Sequence, residues 1–403
     1  MAHLGNIPTA DRNSAMDSGA GFLLAEECMV DEVISLDNGW EVEVKVGSHY
    51  VVARGTGAIA ANTAFEAAYE AAQMGLDLLF AIGKSRLSIH NAFGEYLVWW
   101  RENSQQIFRV VFTNALLIQS EVSATLIDKT GKELPAPSAQ APQYHESLRY
   151  IRLSQLTEDL FDAFRNQWLA FELLLSSRVP RKREPERDWL QKALASTNQV
   201  LPLSQAYSPV GTDVVSGIIN ELYGDVRCAL FHSKDGNTYL LPHRIPDREQ
   251  VSEALRALVR LVNLLASDQI GSLFFSGGIT NAGFDTLTRS SLDSAQVLVS
   301  DNDGPVSTEE TLDGEQYKSA VELATRLAPE LSKPGLICVL GELGTSDLSS
   351  LNQLVRFGVR NSNVLLMTDK LEARLTCEGL DRLEALIGIQ FQNVGMPKSL
   401  YKN

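Results

Sequence analysis

Val214-Val-Ser-Gly-Ile-Ile-Asn-Glu-Leu-Tyr-Gly-Asp-Val-Arg227-Cys-Ala-Leu-Phe-His232 places apolar side chains at Val215, Ile219, Leu222, Val226 and Leu230. Spacings of three and four mark one face of a helix. Ser233-Lys-Asp-Gly-Asn237 then supplies a stop signal. The end of this helix carries two groups with complementary chemistry. Arg227 is permanently cationic, and His232 is of the residue type that titrates near neutral pH. In one cleft they could act on a phosphoester, the imidazole moving a proton and the guanidinium neutralising phosphate. The plain alternative is an arginine in a surface ion pair and a histidine capping a helix end. Five positions on an ideal helix separate side chains by about 140°. The pair can therefore share a cleft only where the helix ends or distorts.

Working outward, Leu160, Phe164, Trp168, Phe171 and Leu175 trace a second helical face, and Leu255, Leu258, Leu261, Val262 and Leu265 a third. These helices are expected to pack as an all-α bundle over residues 146–285. Before it, residues 1–145 read as an α+β domain. Its first 20 residues are polar and expected to fray. Trp40–Val46 alternates like a half-buried strand, with His49–Arg54 as its partner, and Ala61–Ile82 has helical spacing. Tyr96–Trp100, Ile107–Phe112 and Val122–Ile127 add strands, and Leu134–Pro142 has the composition of a linker. After the bundle, residues 286–403 read as a small α/β domain. Its expected elements are strands at Ala295–Val299, Leu336–Leu340 and Asn363–Met367, with helices at Gln316–Leu331 and Leu348–Phe357. The fold class expected is thus multidomain α+β, a central all-α bundle between two flanking domains.

Composition narrows the function classes. A length of 403 residues suits two or three domains, and a net charge of −15 disfavours general attraction to nucleic acid or anionic membrane. Any polyanion must land on a local basic patch. The four cysteines, Cys28, Cys228, Cys338 and Cys377, form no C-x-x-C pair, which fits a reducing cytoplasm and argues against zinc or a disulfide framework. No apolar run reaches membrane-spanning length, so a cytoplasmic protein without a membrane partner is expected.

Other motifs have plainer readings. Gly341-Glu-Leu-Gly344 lacks the phosphate-loop lysine and reads as a strand-to-helix turn, and Ser276-Gly-Gly278 as a turn. The acidic stretch around Asp301 and Asp303 lacks EF-hand spacing and reads as a solvated loop. Neither a metal site nor a cofactor is expected. Arg178, Arg181, Lys182 and Arg183 form the densest basic segment, a proline-containing loop within the bundle. Such a loop is where RNA phosphates would land; a solvated loop is the alternative.

Arg227 and His232, separated by four residues, resemble the signature of the HEPN superfamily, and the subgroup most similar is that of the ApeA-like and MauJ-like proteins. Leu230-Phe-His-Ser-Lys234 resembles that subgroup's Leu-Phe-His-Gly-Lys ending, and Phe161–Leu175 its first bundle helix. Ser276-Gly-Gly-Ile-Thr-Asn-Ala-Gly-Phe284 resembles a segment that follows the bundle in some relatives. The resemblance implies a metal-independent endoribonuclease forming a 2′,3′-cyclic phosphate, with Arg227 and His232 catalytic. It implies a homodimer or larger even assembly in which two bundles complete one cleft. A role as a conditional toxin in antiviral defence, with a regulatory protein partner, is also implied. Glu172 and Lys234 are candidates for orienting the pair. Cys228 stands where active members carry a polar residue, and Ser233 replaces glycine. Those departures support the alternative, an inactive scaffold or interaction subunit of a larger complex.

Overall fold

The computed structural model describes residues 1–118, 127–133, 143–231, 239–271, 280–307 and 310–393. They fall into two compact units, one built from the described residues of 1–116 and 279–392, the other from those of 117–278 together with Asn393.

The first unit is dominated by antiparallel strands. Its amino-terminal half supplies β1 (His3–Leu4), β2 (Ile7–Pro8), β3 (Ser18–Leu23), β4 (Glu32–Ser35), β5 (Glu41–Val44), β6 (Tyr50–Gly55), β7 (Glu95–Glu102) and β8 (Gln105–Ile118). Its carboxy-terminal half supplies β9 (Ala295–Ser300), β10 (Val321–Glu322), β11 (Ala324–Leu327), β12 (Leu336–Gly344), β13 (Gln353–Asn361), β14 (Val364–Thr376) and β15 (Arg382–Asn393). Two sheets result. One runs β11-β12-β15-β8-β7-β3-β6-β5-β4, the other β10-β9-β13-β14-β1-β2. Each sheet mixes strands from both halves: β15 lies beside β8, and β1 pairs with β14 through Leu4 and Leu375. Arg109 fastens the first junction, its guanidinium 2.7 Å from Glu384 and 5.1 Å from the Trp100 ring centre.

Helix α1 (Ala61–Ala81) covers part of the nine-stranded sheet, with Phe65 and Tyr69 against Phe22. Gly75 lets it approach: a Cβ there would stand 2.6 Å from Val42. The opposite face of β3 meets the other sheet, and a Cβ on Gly21 would stand 2.6 Å from Leu4. That packing overturns the expectation of a frayed terminus, because Ala2, Leu4, Ile7 and Ala10 are buried.

The second unit holds α2 (Ser147–Leu156), α3 (Leu160–Arg178) and α4 (Glu186–Val200). They are followed by α5 (Val214–Gly217), a π-helical run Ile218–Cys228, α6 (Ala229–Phe231) and α7 (Ile245–Ile270). Its core is aromatic and aliphatic, with Phe164, Trp168, Phe171, Ile218, Leu258 and Leu261 fully buried. The amino-terminal end of α2 is stapled to α3. The Ser147 N–H donates to His145 Nδ1 at 3.2 Å, and His145 Nε2 meets Ser177 Oγ at 2.8 Å.

The expected fold class is therefore corrected. The chain is mixed α+β with two large sheets containing 15 strands among the described residues, not a central all-α bundle between independent flanking domains. Helices occur in both units, since α1 and the helix Asn281–Leu292 belong to the first. The expected carboxy-terminal α/β domain fails for a physical reason. Gln353–Asn361 is a strand, buried at six consecutive positions between strands on both edges, so its apolar residues show no alternation. Within Gln316–Leu331, a helix-forming composition yields to pairing of β10 with β9 and β11 with β12. Gly341 lies inside β12, where a Cβ would meet Leu323 and Val297 at 2.9 Å. The segments Leu134–Pro142 and Ser276–Gly278, and all but Ile127 of the strand expected at Val122–Ile127, lie outside the described residues.

Candidate functional site

Three helices of the second unit converge on Arg227. Helix α3 opens on Asp159, whose carboxylate accepts the Asp162 N–H, and its buried face brings Trp168 and Glu172 together one turn apart. Helix α4 begins after Pro185 with Glu186 at its first position, where the helix dipole favours an anion. Asp213 caps α5 by accepting the Val215 and Ser216 N–H groups. The chain then widens into the π-helical run, a geometry concentrated at functional positions. The widening brings side chains five apart within reach, so the Tyr223 hydroxyl and Cys228 thiol interact. Tyr223 is pushed up to about 12, mainly by burial and then by Cys228.

Arg227 lies in the last turn of this run. Its Nη2 lies 2.7 Å from Glu186 Oε1 and 3.8 Å from Glu172 Oε1. The guanidinium also sits over the rings of Tyr223 and Phe231, 5.4 and 4.9 Å from their centres. The side chain is only 13% exposed, and its Nε–H has no acceptor among the described residues. A buried donor left without a partner calls for an explanation. Glu172 Oε1 accepts the Trp168 indole N–H at 2.6 Å. Burial raises the Glu172 carboxyl above its ordinary range; the indole hydrogen bond opposes this, the neighbouring Glu186 adds to it, and Arg227 lowers it.

Beside Glu172 opens a cavity of ≈ 300 Å³, walled by Tyr150 and Trp189 and lined by Glu146, Ser176 and Arg181. Trp189 is fixed by donating its indole N–H to the Val179 carbonyl at 2.8 Å.

The site residues expected from the sequence separate into three groups. Arg227, Glu172 and Arg181 gather around Glu172 and the cavity. Arg178 is held by Asp268, while Lys182 and Arg183 are exposed on the loop. His232 and Lys234 lie outside the described residues. The stop signal expected at Ser233–Asn237 lies outside the described residues, within which α6 carries the helix to Phe231. Glu186, Tyr150 and Trp189 were not singled out by sequence reasoning. Pro185 followed by an acidic residue is a helix-start signal that could have drawn attention to Glu186.

No group of three histidine, cysteine, aspartate or glutamate side chains among the described residues could hold a metal ion. No described helix is long and apolar enough to cross a membrane. No protein-family model, curated protein or solved structure matches this chain.

Proposed function

We propose that the second unit carries a metal-independent endoribonuclease site of the HEPN type, centred on Arg227 and His232. One observation supports it above others: Arg227 is fixed in position by Glu172 and Glu186, while its buried Nε–H lacks an acceptor among the described residues. A phosphate oxygen would satisfy that donor with a charge-assisted hydrogen bond. In this reading the ribose 2′-oxygen attacks the adjacent phosphorus, and the bond to the 5′-oxygen breaks. One imidazole takes the 2′-hydroxyl proton and another protonates the leaving oxygen. The products are a 2′,3′-cyclic phosphate and a 5′-hydroxyl, with no water or metal consumed. Proton transfer of this kind contributes about 10²–10⁴-fold, and Arg227 stabilises charge on the phosphorane. Two imidazoles and two guanidiniums in one cleft require a second copy of the chain, so the active species is a homodimer or larger even assembly. The resemblance further assigns a cytoplasmic role as a conditional antiviral toxin under a regulatory partner. The four free cysteines suit a reducing compartment.

A second reading, an inactive interaction subunit, is favoured by a different feature. The two carboxylates and two rings around Arg227 already give its charge a full complement of partners, as for a structural arginine. Growth of cells expressing wild type, Arg227→Ala or His232→Ala, with tRNA and mRNA cleavage measured in EDTA, separates the two. EDTA-resistant cleavage lost in both variants is expected. Absence of cleavage by wild type, under phage challenge as well, overturns the nuclease and leaves the subunit.

A further inference from the structure

We infer that the cavity beside Glu172 is a subsite for one unstacked guanine base with its 3′-phosphate; this rests on the ribonuclease reading. Its volume of ≈ 300 Å³ lies at the lower limit of small-molecule sites, about 300–1,000 Å³, which suits a single nucleoside rather than a longer ligand. Its walls have the makeup by which proteins take single-stranded bases: an aromatic face, a guanidinium and polar groups for the base edge. Tyr150 is half-buried and offers a ring to stack on, and Trp189 contributes a second aromatic side chain to the lining. Exposed Arg181 supplies the positive charge a phosphate needs in an otherwise acidic chain.

The choice of base follows from the carboxylates. Glu172 is engaged by Trp168 and Arg227, whereas Glu146 lines the cavity as an exposed residue at the amino-terminal end of α2. A carboxylate presents two acceptors side by side. Guanine alone among the four bases presents two adjacent donors, N1–H and the N2 amino group, on its Watson–Crick edge. Adenine, cytosine and uracil each offer one, flanked by acceptors that a carboxylate repels. Because Glu172 both lines the cavity and touches Arg227, a base seated there puts its nucleotide next to the proposed catalytic guanidinium. The subsite thereby gives the nuclease a preference for guanosine at the cleavage position.

Calorimetric titration of the full chain with the 3′-monophosphates of guanosine, adenosine, cytidine and uridine tests this directly. Guanosine 3′-monophosphate should bind at least about tenfold tighter than the other three, and Glu146→Gln should abolish that margin. Tyr150→Ala should weaken all four by about tenfold or more, the scale of losing a base stack, while Tyr150→Phe retains binding. Arg181→Ala should weaken the monophosphates but not free guanosine. No preference among the bases, or binding untouched by both Tyr150→Ala and Glu146→Gln in chains with wild-type circular dichroism, overturns the subsite. RNA cleavage without base binding removes the subsite and leaves the nuclease. Guanosine binding in a chain that never cleaves RNA removes the nuclease and keeps a nucleotide site.

Discussion

Glu186 Oε1 stands 2.7 Å from Arg227 Nη2, so the first turn of α4 holds a guanidinium from the last turn of the π-helical run. Breaking a partly buried pair of this kind leaves its partner's charge uncompensated. Arg227→Ala should lower the stability of the helical unit by roughly 3 kcal/mol, at the lower end for buried pairs. In a double-mutant cycle with Glu186→Ala, measured by chemical denaturation, the coupling should be about 1–3 kcal/mol. Coupling below about 0.5 kcal/mol would show that Glu186 does not position the arginine.

Glu95 gives the β-rich unit a stability that falls with pH. Its carboxyl accepts the Tyr50 hydroxyl at 2.5 Å and is 8% exposed, with Glu372 and Asp369 of β14 nearby. Burial raises it from its ordinary 4.5 to about 7. Between those values the folded chain holds a proton that the unfolded chain has released, so stability declines as pH rises from 4.5 to 7. The loss is complete above about pH 7 and amounts to roughly 3 kcal/mol. Asp369 is raised too, so the comparison must be with Glu95→Gln. The difference in unfolding free energy between wild type and that variant should change across pH 4.5–7; a constant difference would contradict the assignment.

The acidic stretch expected to be a solvated loop is clamped at one point. Arg356 and Glu310 form an ion pair at 2.6 Å with side chains 0% and 1% exposed, and Arg356 also donates to the Gly304 and Pro305 carbonyls. Thr368 donates to the other Glu310 oxygen at 2.8 Å. Glu310→Ala strands a buried guanidinium and should cost about 3–5 kcal/mol. Asp303→Ala, whose partners Arg374 and Lys370 are substantially exposed, should cost no more than about 1 kcal/mol. Equal losses in thermal unfolding would refute this ranking.

Gly75→Ala sets two effects against each other. In a free helix the substitution stabilises by about 1 kcal/mol. Here the new methyl meets three Val42 carbons at 2.6–2.8 Å, and overpacking costs about 1–3 kcal/mol. Net destabilisation is expected, with recovery in Gly75→Ala/Val42→Ala. A more stable single variant would mean that α1 can lift from β5 freely.

Legibility in the sequence followed how far each segment's own pattern of apolar and polar residues reports its surroundings. Strand β5 and its partner β6 stood out by alternation at Trp40–Val46, and α1 by its spacing, because each is governed by contacts within a hairpin or along one face. Strand β13 was hidden because six consecutive positions are buried, so no alternation marks it, and Arg356 interrupts an otherwise apolar run. The short β1 and β2 take their order from Leu375 and other residues some 370 positions away, which no local pattern announces. At the site, Arg227 and Glu172 were legible from residue type and helical position. Glu186, Tyr150 and Trp189 come from different helices, and only tertiary packing brings them together.

Because β8 takes β15 as its neighbour, the nine-stranded sheet cannot close while the chain is still emerging from the ribosome. Roughly 260 residues must be synthesised between Ile118 and Arg382, at about 5–20 per second. For tens of seconds the β8 edge is an open template for another nascent copy. A chain cut short before β15 would keep that edge bare, so nonsense products of this protein should be recovered in the pellet rather than the supernatant.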